Sequence, residues 1–197
     1  MALPREAPAD NVTAVSAALA QMSPNEKANL PPLDDDDFRL FGVISQHFCF
    51  IDFNLRRSLE IMRMAKRLPP EHVKKYPNYS DADLAGILIQ TVKGLDPTVE
   101  NLEEALSRLG EINHCRGYRN LISHFAGKRY PNEDVYVFAS KSERDAKKVL
   151  GRSLDDHWAH FAVTGRSEFF QLAELLGGHQ RWLSFKVVEW DKRYLKK

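Results

Sequence analysis

Between Phe38 and Leu68, apolar residues return at steps of three and four: Phe41, Ile44, Phe48, Ile51, Leu55, Leu59 and Met62. That spacing is one face of an α-helix, and about thirty residues make it roughly 45 Å long. Such an element commits the chain to a mainly helical architecture, because its stripe has to be covered by other elements. Val43, Phe50 and Phe53 fall outside the stripe. The helix therefore carries more apolar surface than one packed side uses, which places it centrally or at a contact between two copies. Arg56, Glu60, Arg63 and Arg67 mark its charged, solvated side. Asp34-Asp35-Asp36-Asp37 opens it, where carboxylates favour the positive end of the helix dipole. The run lacks the spaced ligands and glycine of a calcium loop, and Pro69-Pro70 ends the helix.

Further elements follow. Ser80-Asp81-Ala82-Asp83 reads as a capped helix start, with the helix running to about Gly94. Asp96-Pro97 is a second start, leading through Leu102, Ala105, Leu106 and Leu109 towards Gly110. Another helix is predicted from about Ile112 to Ala126, and Gly127 through Asn132 breaks the pattern. The β-branched and aromatic run Asp134 to Ser140 predicts a strand. Trp158 to Thr164 is its candidate partner, with a short basic helix over 142–150 between them. Helix returns from Ser167 to Tyr194, with a joint at Gly177-Gly178 and with Trp182 and Trp190 in the core. Residues 1–32, rich in Ala, Pro, Asn and Ser with a weak helix from Val12 to Met22, read as a partly ordered appendage. The predicted fold is mainly α, a helical domain over 33–197 with a small β-hairpin-like insertion at about 134–164 before the C-terminal helix.

Among 197 residues, 43% hydrophobic and 28% charged, no run approaches the roughly 18 apolar residues of a membrane helix. Met-Ala-Leu-Pro-Arg-Glu lacks the order of a secretory signal, and Cys49 and Cys115 make no disulfide framework. The expectation is a cytoplasmic protein without a membrane partner. A net charge of +1 does not announce a nucleic-acid binder, but local charge differs. From Asn113 to Tyr130 there are four Lys/Arg, two His and no Asp or Glu.

That stretch contains Arg-Gly-Tyr-Arg-Asn-Leu-Ile-Ser-His-Phe, residues 116–125. On a helical wheel Arg116, Arg119, Asn120, Ser123 and His124 occupy one arc of roughly 140°, with Tyr118, Leu121, Ile122 and Phe125 opposite. A solvated helix face usually mixes acids and bases for pairs four apart; this face has no carboxylate. Histidine exchanges protons near neutrality and arginine presents a permanent cationic fork to phosphate oxygens. Those are the parts of a phosphoryl-transfer site, an acid/base beside a cation. A plain solvated face is the competing explanation.

Arg119-Asn120-Leu121-Ile122-Ser123-His124 resembles the arginine–polar–X–X–X–histidine signature of the HEPN superfamily, compact helical domains of toxins, defence nucleases and some eukaryotic RNases. The resemblance spans roughly residues 38 to 195 as architecture and about ten residues as sequence. It implies a HEPN-like bundle and metal-independent RNA cleavage by attack of a ribose 2′-hydroxyl, in a bacterial toxin or phage-defence setting. His124 would be the general acid/base, Arg119 would hold the phosphate, and Asn120 would orient the histidine or the substrate. Arg116, Ser123, Lys128 and Arg129 would be auxiliary RNA contacts. The resemblance implies a homodimer with a composite cleft, an antitoxin or defence-system protein as a possible further partner, and no cofactor. Three alternatives compete: a non-catalytic module binding nucleic acid, a nucleotide or a protein; a helical scaffold; and a metal site at His114, Cys115 and His124. The spacing of that last set matches no zinc pattern.

Overall fold

Seven α-helices and a three-stranded antiparallel sheet make up residues 10–96, 101–140 and 160–195, the part of the chain described by this computed structural model. In chain order they are α1 (Asp10–Gln21), α2 (Pro24–Ala28), α3 (Asp35–Met64), α4 (Pro70–Val73), a 3-10 turn (Tyr76–Asn78), α5 (Asp81–Lys93), α6 (Leu102–His124), β1 (Ala126–Arg129), β2 (Val135–Ser140), β3 (His160–Gly165) and α7 (Arg166–Tyr194). The chain is mainly helical with its small sheet before the C-terminal helix, as predicted. None of the described helices is long and apolar enough to cross a membrane. The predicted basic helix at 142–150 and the Pro97 helix start lie outside the described residues.

The chain divides into two compact units. The first comprises residues 1–45 and 117–174, the second 46–116 and 175–197. In the first unit β2 sets the plan. Val135 and Val137 point to one face and Tyr136 and Phe138 to the other, as the two-residue repeat of a strand dictates, and all four are buried. The valine face packs with Val163 of β3 against Val12, Val15 and Leu19 of α1 and against Leu30. The N-terminal segment, read from sequence as an appendage, thus supplies one side of this core. On the aromatic face Phe41, Tyr136, Phe138 and Phe169 form a cluster with ring centroids 5.1–6.1 Å apart.

The stretch expected to be a break holds β1. Ala126 to Arg129 pair with Ala139 to Tyr136, although Ala-Gly-Lys-Arg has little intrinsic strand preference, because pairing with β2 overrides propensity. At Gly127 the Leu33 side chain packs closely over the strand: a Cβ would lie 2.7 Å from its Cδ1, so a larger residue here would have to displace that leucine end. The backbone N–H of Arg129 donates to the Pro31 carbonyl at 2.9 Å, so chain from the N-terminal segment lies along the outer edge of the sheet. Asn132 takes φ 62° in the β1–β2 turn, a conformation asparagine tolerates.

In the second unit Ile51, Leu55, Leu59 and Met62 of α3 are fully buried, as are Leu88 of α5, Leu109 and Ile112 of α6, and Leu183 and Trp190 of α7. α5 begins at the predicted Ser80 cap, closed reciprocally with Asp83. α6 is one helix, not two; Gly110 costs about 1 kcal/mol relative to alanine, which the burial of Leu109 and Ile112 beside it offsets. α7 likewise continues through Gly177-Gly178. Trp190 is core as predicted, whereas Trp182 is half-buried beneath the Arg108 guanidinium, 5.7 Å away.

Candidate functional site

The C-terminal turns of α6 are fixed from behind. Tyr118 and Leu121 are fully buried and Phe125 is 7% exposed. The Tyr118 hydroxyl donates to Glu168 Oε2 at 3.0 Å, and its ring meets Phe169 edge-on at 5.6 Å. Glu168 is held in turn, its Oε1 accepting from the Gly165 N–H at 3.0 Å. The rotation of this helix segment about its axis is thereby set by packing and by one buried hydrogen bond. On its other side Ser123 and His124 are exposed, and Arg119 and Asn120 are half-buried. Residues four apart on a helix are surface neighbours, so Asn120 stands beside His124 and Arg119 beside Ser123. Arg119 keeps an interaction within the protein. His124 is the last helical residue, leaving its imidazole at the rim rather than in the core.

The five-residue polar arc is not presented whole. Arg116 belongs to the second unit. It is 8% exposed, and its Nη2 donates to Asp52 Oδ1 at 2.5 Å while its Nε is buried without a partner. Arg116 is therefore not solvated: a guanidinium stays charged when buried, and Asp52 supplies the partner that this burial demands. The signal was present in the sequence. Arg116 falls four residues after Ile112 and seven after Leu109, at apolar-stripe spacing, and Asp52 falls four after Phe48.

Arg129 is likewise committed. Its Nε and Nη2 donate to the two oxygens of Asp37 at 2.7 and 3.0 Å, and its Nη1 lies 3.1 Å from Asp34 Oδ2. Asp37 is fully buried and its Oδ1 also accepts from the Tyr136 hydroxyl at 2.6 Å and from Arg166 Nε at 3.0 Å. Burial alone would raise its pKa. The Arg129 and Tyr136 hydrogen bonds outweigh that and hold the carboxyl at about 2. The Tyr136 hydroxyl is pushed up, first by burial and then by donating to Asp37. Arg129, expected as an auxiliary RNA contact, is here engaged in ion pairs with Asp34 and Asp37. Lys128 is half-buried in β1 opposite Val137. Asp37, four residues before Phe41, also sits at stripe spacing, which an acidic run at a helix start disguises.

His114 is exposed and Cys115 buried, its thiol pushed up to about 12 by burial and by the nearby Glu111 carboxylate. Among the described residues no group of three His, Cys, Asp or Glu is placed to hold a metal ion. The arrangement left on the surface is an imidazole, a hydroxyl, an amide and a partly exposed guanidinium on the last turns of α6. No family model matches the chain, and neither a curated protein nor a solved structure shows significant similarity to it.

Proposed function

We propose that the protein is a metal-independent RNA endonuclease of HEPN type that works as a homodimer. The observation that carries the reading is His124, exposed at the end of a helix whose opposite face is locked into the core. Asn120 stands beside it and Arg119 beside Ser123, in a stretch, 113–130, free of carboxylates. An imidazole within reach of a ribose 2′-hydroxyl takes its proton. The 2′-oxygen then bonds to the adjacent phosphorus, the bond from phosphorus to the 5′-oxygen breaks, and the leaving oxygen is protonated. The products are a 2′,3′-cyclic phosphate and a 5′-hydroxyl. Arg119 is the group that offsets negative charge on the phosphorane, and Asn120 orients the imidazole or the substrate. One histidine cannot serve both oxygens in a single concerted step. A second copy of the chain supplies the other, and the exposed Phe50, Phe53, Phe185 and Val188 offer apolar surface for such a partner. The role as a toxin or defence effector, with a restraining partner protein, rests on the resemblance.

The test is cleavage of single-stranded RNA in excess EDTA by the wild type, His124→Ala and Arg119→Ala. The expected result is cleavage that persists in chelator and yields cyclic-phosphate termini. Loss of the acid/base should slow it by about 10² to 10⁴-fold, and loss of the cation by about 10² to 10³-fold. Cleavage that His124→Ala leaves unchanged, or that chelator abolishes, sinks the proposal.

A further inference from the structure

In the second unit, charge is segregated on one segment. From Arg63 to Lys75 there are five Lys/Arg and a single acid, Glu71, while the other 184 residues carry 23 Lys/Arg against 26 Asp/Glu. Arg63 is matched by Glu60 at 2.6 Å. Lys66, Arg67, Lys74 and Lys75 are exposed, and none of the ion pairs among the described residues involves them. The backbone beneath them is pinned. The Tyr76 hydroxyl donates to the Arg56 carbonyl at 2.9 Å, and Arg56 Nη2 donates to the Tyr79 carbonyl at 3.1 Å. His72 spans from Tyr79 Oη at 2.7 Å to Gln90 Oε1 at 2.6 Å, tying α4 to α5. The cations therefore project from a fixed scaffold, which lowers the entropy lost on binding.

Lys66 gives an independent indication. α3 ends in a glycine-type cap: the Arg67 N–H donates to the Met62 carbonyl at 2.8 Å and the Lys66 N–H to that of Arg63 at 3.0 Å. Lys66 occupies the left-handed position at φ 57°, where glycine is the ordinary residue. A long cation held in a strained conformation at the edge of a cationic cluster points to use of its charge. The exposed apolar side chains within the segment, Met64 and Val73, are too few for insertion into a lipid surface, which needs a broad apolar face. Spaced cations with no ion-pair partner among the described residues suit a repeating phosphodiester.

We propose that Lys66, Arg67, Lys74 and Lys75 bind the phosphate backbone of single-stranded RNA. The identity of the polyanion rests on the nuclease reading, whereas the anion site itself rests on the charge and the scaffold. Binding of a fluorescein-labelled oligoribonucleotide, followed by anisotropy across a salt series, tests it. The His124→Ala background keeps the RNA intact. Changing the four cations to glutamine should weaken binding on the order of tenfold or more at moderate salt. The slope of log K against log salt should fall by about 0.7 for each phosphate that is no longer neutralised. Lys66→Gly should weaken binding while raising the unfolding midpoint, a combination that a misfolded variant does not give. Changing the exposed Lys93 and Lys192 instead should leave the slope as it is.

An unchanged slope in the fourfold variant overturns the proposal. So does an equal fall in the Lys93/Lys192 control, or binding of polyglutamate or anionic vesicles, but not RNA, through the same four residues. If the wild type fails to cleave yet binds RNA through these residues, the nuclease reading falls and the anion site stands. If the wild type cleaves and the fourfold variant binds undiminished, the reverse holds.

Discussion

Asp37 is one buried carboxylate that receives two guanidiniums and a phenolic hydroxyl. Its pKa falls from an ordinary 3.8 to about 2, so folding favours the ionised form. The resulting stabilisation, about 2 kcal/mol by linkage, is present in full above pH 4 and is lost as pH falls towards 2. Asp37→Asn leaves Arg129 and Arg166 facing an amide. It is expected to cost about 3 kcal/mol at neutral pH, the scale of a buried pair broken on one side, and to flatten the stability profile between pH 4 and 2. Urea titrations over that range check both; a variant that keeps the wild-type acid limb would remove Asp37 as its source. His179 acts in a different window. It is 1% exposed, and its Nε2 lies 3.3 Å from Glu111 Oε2 without hydrogen-bond geometry. Burial lowers its pKa, against the opposing pull of Glu111. Its contribution is therefore present above pH 6.5 and declines as pH drops below that value.

Among the elements, α1 has the clearest consequence for packing. Val12, Val15 and Leu19 cover the valine face of β2, so this helix is part of a core. Leu19 is 4% exposed, and Leu19→Ala is expected to cost about 2 to 3 kcal/mol in denaturant unfolding, where an exposed site on a loose appendage would show under about 0.5 kcal/mol. The residues explain what the sequence made legible. α3 was readable because seven apolar residues keep helical spacing without interruption, and α5 because Ser80 and Asp83 close a cap. The strand at Val135 was readable from its alternating Val and aromatic residues. α1 has Val12, Val15 and Leu19 at steps of three and four as well, but in a short segment flanked by proline its worth depends on a sheet more than a hundred residues away. β1 depends on pairing alone. Gly110 and Gly177-Gly178 misled because a glycine's local cost says nothing of the burial around it. At the site, the exposure of Ser123 and His124 followed from the wheel. The burial of Arg116 was signalled by its spacing from Leu109 and Ile112, but its partner was not, since Asp52 lies on another helix.

For the molecule as a whole, the chain divides into two compact units, and the N-terminal helix belongs to the first. In the second unit Phe53 and Phe185 are 68% and 76% exposed. They lie next to Asn54 and Ser184, whose side chains hydrogen-bond at 3.0 Å between α3 and α7. Exposed aromatic side chains on neighbouring helices are a mark of an interaction surface, and the homodimer reading predicts that a second copy covers them. Phe53→Asp with Phe185→Asp should convert a dimer to a monomer in sedimentation without loss of helical circular dichroism. A wild type that sediments as a monomer at micromolar concentration would count against the dimer.

Cys49 is exposed directly before Phe50, and Cys115 is buried with its thiol pushed up to about 12. The native chain thus offers a single thiol to a maleimide reagent, on the α3 segment of the second unit. A dye attached there reports on that aromatic surface without any engineered residue. Mild oxidation can join two chains through Cys49 only where their α3 helices approach each other, so a covalent species under those conditions would record which faces meet.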